Sequence, residues 1–232
     1  MNRALTVARL QFVAWPGVVG WPWGILALSF LINLALFATI NEPTGAGQPI
    51  TGGLASIYVV MFVACVSSIT QEFPFAIGLG ITRRSFYLGN VLQLVGQAIS
   101  YAAVLYLLTL VEQATNGWGI GLRFFGLPFG WVENPALRFL AFAVPFLLLG
   151  FLGIAIALVF KRWGVNGMLT LSTVALVGFG GLAVLATWRG WWPAVGGWFA
   201  DQSGAALLVG WPALLTLPLA VLSYLAIRRA TP

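Results

Sequence analysis

The sequence predicts an all-α, polytopic membrane protein with six transmembrane helices. Three observations carry this. Of 232 residues, 60% are hydrophobic and 7% are charged, with a mean hydropathy of +0.98. Soluble domains hold about 25% charged residues, so a water-soluble globule is excluded, and disorder requires the opposite composition. Six apolar runs are each long enough for the roughly 20 helical residues that cross a bilayer core. The basic residues also alternate between the connections in a way that six spans explain.

The runs are 19–40, 53–70, 87–111, 136–160, 166–187 and 206–227. They do not alternate apolar with polar residues as barrel strands do. The first two are parted by residues 41–52, whose Pro43, Pro49 and glycines have turn composition. With six spans, Arg3, Arg9, Arg83, Arg84, Lys161, Arg162, Arg228 and Arg229 fall on one side and only Arg123, Arg138 and Arg189 on the other. A basic excess marks the cytoplasmic side, so both termini are expected there; ten of the eleven basic residues are arginine, a composition expected of a GC-rich bacterial genome and hence of a bacterial cytoplasmic membrane. Tryptophans flank the runs, as amphipathic rings do at a membrane interface: Trp15, Trp21, Trp23 and Trp163 on the inner side, Trp118, Trp131, Trp188, Trp191, Trp192 and Trp198 on the outer. The whole chain reads as a single transmembrane domain, with no signal peptide in front of it.

Three segments are not simple spans. Residues 1–17 are expected to include an amphipathic helix lying in the inner interface, with Ala4, Leu5, Ala8, Phe12 and Trp15 on one face and Asn2, Thr6 and Arg9 on the other. Residues 188–202 hold Trp188, Trp191, Trp192, Trp198 and Phe199, and are expected to form a re-entrant outer segment; 117–131 has a similar aromatic content. Between spans two and three lies 72–82, expected to form a short cytoplasmic helix. Pro74 suits its first turn, Gly80 its exit, and Thr82 the cap of the next helix. Phe73, Phe75, Ile77, Leu79, Ile81 and Phe86 make this region apolar, so lipid or a protein partner is expected to cover it. Arg83 and Arg84 fall in the first turn of span three, where the helix dipole disfavours cations. Lipid phosphate or an acidic groove on a cytoplasmic partner would compensate.

Several chemistries are excluded. The chain has no histidine and one cysteine, so histidine acid–base catalysis, a zinc site and an internal disulfide are absent. The single lysine, Lys161, follows Phe160 and is in no phosphate-binding loop. Glu42, Glu72, Glu112, Glu133 and Asp201 all map to span ends or loops, leaving no mid-membrane ionisable group of the kind that drives ion-coupled transport. The chain is expected to be neither an enzyme nor a self-powered transporter, to hold no cofactor and to bind no nucleic acid. Neutral polar groups do lie within spans. Asn90, Gln93, Gln97 and Ser100 share one face of span three and Asn33 lies in span one. They form interhelical hydrogen bonds or line a substrate path. Span five is rich in small residues, including Gly178, Gly180 and Gly181, which suits close approach of a second copy.

The stretch Glu72-Phe73-Pro74-Phe75-Ala76-Ile77-Gly78-Leu79-Gly80-Ile81-Thr82-Arg83-Arg84, followed by Phe86-Tyr87-Leu88-Gly89, resembles the coupling segment of bacterial ABC-2 type exporter permeases. The interfacial helix, six spans and re-entrant segment also resemble that family's plan. The resemblance implies a homodimer or heterodimer of permeases with a separate ABC ATPase subunit on the cytoplasmic side. It further implies that Phe73, Pro74, Phe75, Ile77 and Leu79 plug into the ATPase, with Glu72, Arg83 and Arg84 as a charged rim. The cargo is expected to be hydrophobic or amphipathic: a small molecule, peptide or lipid. Two other readings stay open: the substrate-capture subunit of an importer, and a membrane scaffold that transports nothing.

Overall fold

The computed structural model describes residues 19–39, 51–126 and 132–228. The expected interfacial helix at 1–17, most of the 41–52 turn, Phe129, Trp131 and Arg229 lie outside the described residues. Those that are described form an all-helical membrane protein, with five helices long and apolar enough to cross a bilayer.

Helix α1 covers Trp21–Thr39, with Pro22 in its first turn, where a missing N–H leaves no bond unmade. Helix α2 covers Ala55–Ser67 and passes without a loop through a π-helical turn, Ser68–Glu72, into α3, Phe73–Gly78. Here the structure corrects an expectation. Residues 72–78 are not a separate helix beyond the span but the end of one continuous 24-residue helix, Ala55–Gly78. The widened π turn sits just before Pro74, whose ring carries no N–H to donate. Gly80 then ends the run at φ +78°, with Gly80 N–H donating to Ile77 O and Ile81 N–H to Ala76 O. This paired closure is the left-handed glycine stop of helix ends. Helix α4, Arg83–Ala114, starts on Thr82, whose hydroxyl accepts from Ser85 N–H at 3.2 Å.

The longest element, α5, covers Pro135–Trp188 and is capped by Asn134, whose side-chain oxygen accepts from Ala136 N–H at 2.9 Å. Its 54 residues would extend about 80 Å if straight, against a core of about 30 Å. It is not straight. The loop expected between 160 and 166 is replaced by one residue, Gly164, at φ 59° and ψ −148°. A Cβ placed on Gly167 would come within 3.4 Å of Val159 O, eight residues earlier. A straight helix separates such residues by about 12 Å, so the chain bends sharply there. Helix α6 covers Trp192–Asp201, and α7, Trp211–Ile227, follows a π turn at Ala206–Gly210.

The core lies where α2, α4 and the first half of α5 meet, with Ile57, Met61, Leu94, Leu105, Phe142, Phe146 and Ile154 fully enclosed. Helix α1 packs on α2, and α7 packs on α5. Gly153 sets the α2–α5 spacing: a Cβ there would stand 2.9 Å from the Phe62 carbonyl oxygen, a backbone atom that cannot step aside. Gly153→Ala is therefore expected to push the two helices apart and cost about 1–3 kcal/mol, read as a lower thermal midpoint of the detergent-solubilised protein. An unchanged midpoint would refute this contact. In contrast, the second half of α5 is apolar on all sides and almost wholly exposed, with Leu169, Val174, Leu176, Val177, Phe179 and Val184 facing outward.

Candidate functional site

Two ends of the bundle carry the chemistry. The first is the elbow formed by α3, the Gly80 turn and the start of α4. Its inner side is part of the core: Phe73 is 0% exposed and meets the Phe86 ring edge-on at 5.3 Å, and Ala76 is buried beside it. Its outer side is bare, with Phe75 70% and Leu79 60% exposed. Pro74 and Ile77 are half-buried, while Glu72 and Arg84 are exposed. A six-residue helix shows both faces because side chains three apart share one stripe and the residue between them points away. Phe73, expected in a partner-facing plug, is instead a core residue. The accessible apolar pair is Phe75 and Leu79, four residues apart on one face.

Arg83 finds its partner within the chain. Its Nη1 donates to Arg228 O at 3.1 Å, at the end of α7. Exposed carbonyls at a helix C-terminus attract a cation, so the unfavourable position of Arg83 on α4 is compensated by a favourable one on α7. This long-range contact braces the elbow against the last helix.

The polar residues do not form one track. Asn33 Nδ2 donates to Ser29 O at 2.8 Å and its Oδ1 accepts from Thr51 Oγ1 at 2.7 Å, near the start of α2 and the end of α1. Asn90 lies near the opposite end, on the first turns of α4, and its Nδ2 donates to Ser68 Oγ at 2.5 Å. Ser68 in turn donates to Glu72 Oε2 at 2.9 Å. Gln93 and Gln97 line a small cavity, about 50 Å³, together with Cys65, Ser68, Glu72 and Asn90. Ser100 is exposed and bonds back to Gly96 O at 2.7 Å. Asn33 and Ser100 thus stand apart from the Asn90–Gln93–Gln97 group. The sequence placed Glu72 at a span end; the longer helix brings it onto the polar stripe instead.

At the other end lies a residue whose role the sequence did not reveal. Glu112 is in the last turn of α4 yet only 3% exposed. Its Oε2 accepts from Trp118 Nε1 at 3.2 Å, Phe124 N–H at 2.9 Å and Phe125 N–H at 2.8 Å, and its Oε1 from Gly126 N–H at 2.8 Å. Four donors on one carboxylate satisfy a buried charge that the helix end would otherwise repel. The segment from Asn116 to Gly126 is drawn into a tight strap. Asn116 (φ 51°) and Trp118 (φ 61°) are held in the left-handed region, which side chains adopt at a cost. Phe124, Phe125 and Trp118 then pack around Phe30 of α1, at 5.3, 5.5 and 4.9 Å between ring centres. The signal in the sequence was the glycine-rich run Gly117-Trp118-Gly119-Ile120-Gly121, which begins five positions after an acidic residue at a helix end.

The re-entrant segment expected at 188–202 contains α6, entered through Gly190 at φ 64°. Trp198 meets Phe199 and Trp211 at 5.0 and 5.5 Å, and no α6 residue is buried. No family model, curated protein or solved structure matches this chain.

Proposed function

We propose that this chain is the membrane-spanning permease subunit of an ATP-binding-cassette exporter, powered by a separate ATPase. The observation that supports this reading best is the two-sided elbow. Phe73 and Ala76 anchor it in the core, the Arg83–Arg228 bond braces it to the last helix, and Phe75 and Leu79 stand bare at its tip. A push on that tip is transmitted into α2 and α4 together, since one continuous helix enters the elbow and a capped one leaves it. That is what a handle gripped by a motor subunit requires. On this reading the elbow lies on the cytoplasmic side of a bacterial inner membrane, the side that a basic excess favours. On this reading the break at Gly164 separates two crossings, giving six spans and both termini inside. A second permease copy covers the bare second half of α5, where a Cβ added to Gly178, Gly180 or Gly181 would meet no neighbouring element within 4 Å. ATP hydrolysis belongs to the partner, and this chain is not itself an enzyme.

The test is co-purification with an ATPase encoded beside it. Phe75→Asp combined with Leu79→Asp should abolish capture of the ATPase while leaving the thermal midpoint of the permease unchanged, because both side chains are exposed. Undiminished capture by the double variant would count against the proposal. A chain that binds a vitamin-like ligand alone would favour the importer reading, and one that binds no ATPase would favour the scaffold.

A further inference from the structure

We infer that the seam between the start of α4 and the end of α7 is a binding site for an anionic phospholipid, with the phosphodiester of its head held by Arg83, Arg84 and Arg228. The inference goes beyond the exporter reading and does not rest on it. Both helices are long and apolar enough to cross a bilayer, so their ends meet at a membrane surface whichever leaflet that is.

Tertiary structure gathers these charges. Arg83 Nη1 donates to Arg228 O at 3.1 Å, which leaves its other N–H donors unused. Arg84 follows it on α4 and is exposed. The Arg228 side chain folds back over the Tyr224 ring at 5.8 Å. That ring lies 5.4 Å from the ring of Tyr87, one turn along α4 from Arg83. Tyr87 Oη donates to Ala220 O at 2.6 Å and closes the seam beneath. Residues 145 positions apart thus bring like charges to one place. Among the described residues no carboxylate pairs with Arg83, Arg84 or Arg228. Glu72, on the same elbow, accepts from Ser68 instead. The start of α4 adds the positive end of a helix dipole. Guanidinium groups held together in that field repel one another unless an anion joins them.

What surrounds the arginines identifies the anion. Arg84, Leu88 and Leu92 are spaced four apart on one face of α4, and all are exposed. On α7, exposed Leu225 precedes Arg228 by three residues. An apolar track therefore runs directly from the charges along both helices. A soluble phosphate or an acidic peptide would meet the arginines and leave the leucines bare. A phospholipid matches both parts, its phosphate oxygens on the guanidinium forks and an acyl chain along the track. A zwitterionic head would bring its own ammonium towards the same cations, so a head with net negative charge, such as phosphatidylglycerol, is favoured.

The test uses the full chain in detergent, without ATPase, titrated with dioleoylphosphatidylglycerol, dioleoylphosphatidylcholine or glycerol 3-phosphate, with bound species followed by native mass spectrometry. Phosphatidylglycerol should bind saturably, and the other two at least about tenfold more weakly, as expected when net head charge or acyl chains are lost. Arg84→Gln with Arg228→Gln should weaken phosphatidylglycerol by about tenfold or more, each charge being worth a factor of roughly five at an anionic head. Arg228→Gln keeps the main-chain carbonyl that Arg83 binds, so the lipid-free thermal midpoint should not fall. The control is Lys161→Gln with Arg162→Gln, which removes the same charge elsewhere and should change binding by no more than about twofold. Equal affinity for the two lipids, glycerol 3-phosphate binding as tightly as phosphatidylglycerol, or equal losses in the two double variants would each overturn the inference. So would undiminished lipid binding by the folded Arg84 and Arg228 variant; if that variant lost ATPase capture instead, the cluster would belong to the ATPase. The ligand comparison on the unaltered chain stands even where a variant does not fold. Because no ATPase is present, failure of lipid binding leaves the exporter reading untouched.

Discussion

Replacing Glu112 by glutamine is expected to destabilise the protein by about 1–3 kcal/mol, the cost of leaving a buried hydrogen-bond donor without its acceptor. The carboxylate receives four N–H groups, three on Oε2 and one on Oε1. Glutamine keeps one oxygen and turns an NH₂ towards donors it cannot accept from, so at least one backbone N–H is left buried and unpaired. The strap would loosen, taking Phe124 and Phe125 away from Phe30. Two measurements check this: a lower thermal midpoint in detergent, and faster trypsin cleavage after Arg123, an exposed strap residue that is cut only when the backbone opens locally. Glu133→Gln is the control. That side chain is exposed, and its replacement should change the midpoint little. If the two variants behaved alike, Glu112 would not be the fastening of the strap.

Phe73→Ala and Phe75→Ala, two residues apart, are expected to have opposite consequences. Phe73 is enclosed and packs on Phe86, so its truncation leaves a cavity and costs about 3–5 kcal/mol. Phe75 is 70% exposed, so its truncation should fall within about 0.5 kcal/mol of no change in stability. Under the proposed function the ranking inverts for ATPase capture, which Phe75→Ala weakens without unfolding the chain. Thermal unfolding of the solubilised variants separates the two residues directly. Equal midpoints would mean that the elbow is not seated on Phe86 as described.

Local signals in the sequence proved readable wherever the physics was local. Thr82 caps α4 and Gly80 closes α3, because capping depends on hydroxyl reach and on the freedom of glycine at positive φ. The boundaries of α1 and the 206–227 run agree with the apolar runs to within about two residues, because hydrocarbon thickness sets their length. Element ends were misread where a continuous backbone carried on through a polar stretch. The run ending at Thr70 continues to Gly78 because the π turn spaces it around Pro74, and the loop expected near 161–165 shrinks to Gly164.

The site was legible only in outline. The stripe Asn90, Gln93, Gln97 was visible from helical periodicity, yet Ser68 and Glu72 joined it only through packing of α2 on α4. The partner of Arg83 is 145 positions away in the chain. Glu112 looked like an ordinary residue at a span end until a strap folded back over it.

Composition and apolar run length sufficed to determine that this chain is a helical membrane protein and which runs form most of its long apolar helices, because transfer into hydrocarbon depends on each residue's own surface. Which side chains of the elbow point inward, what Arg83 and Glu112 bind, and that Asn33 lies apart from Asn90 were decided by tertiary structure. Those outcomes depend on hydrogen-bond geometry between segments distant in the chain, which no single segment encodes.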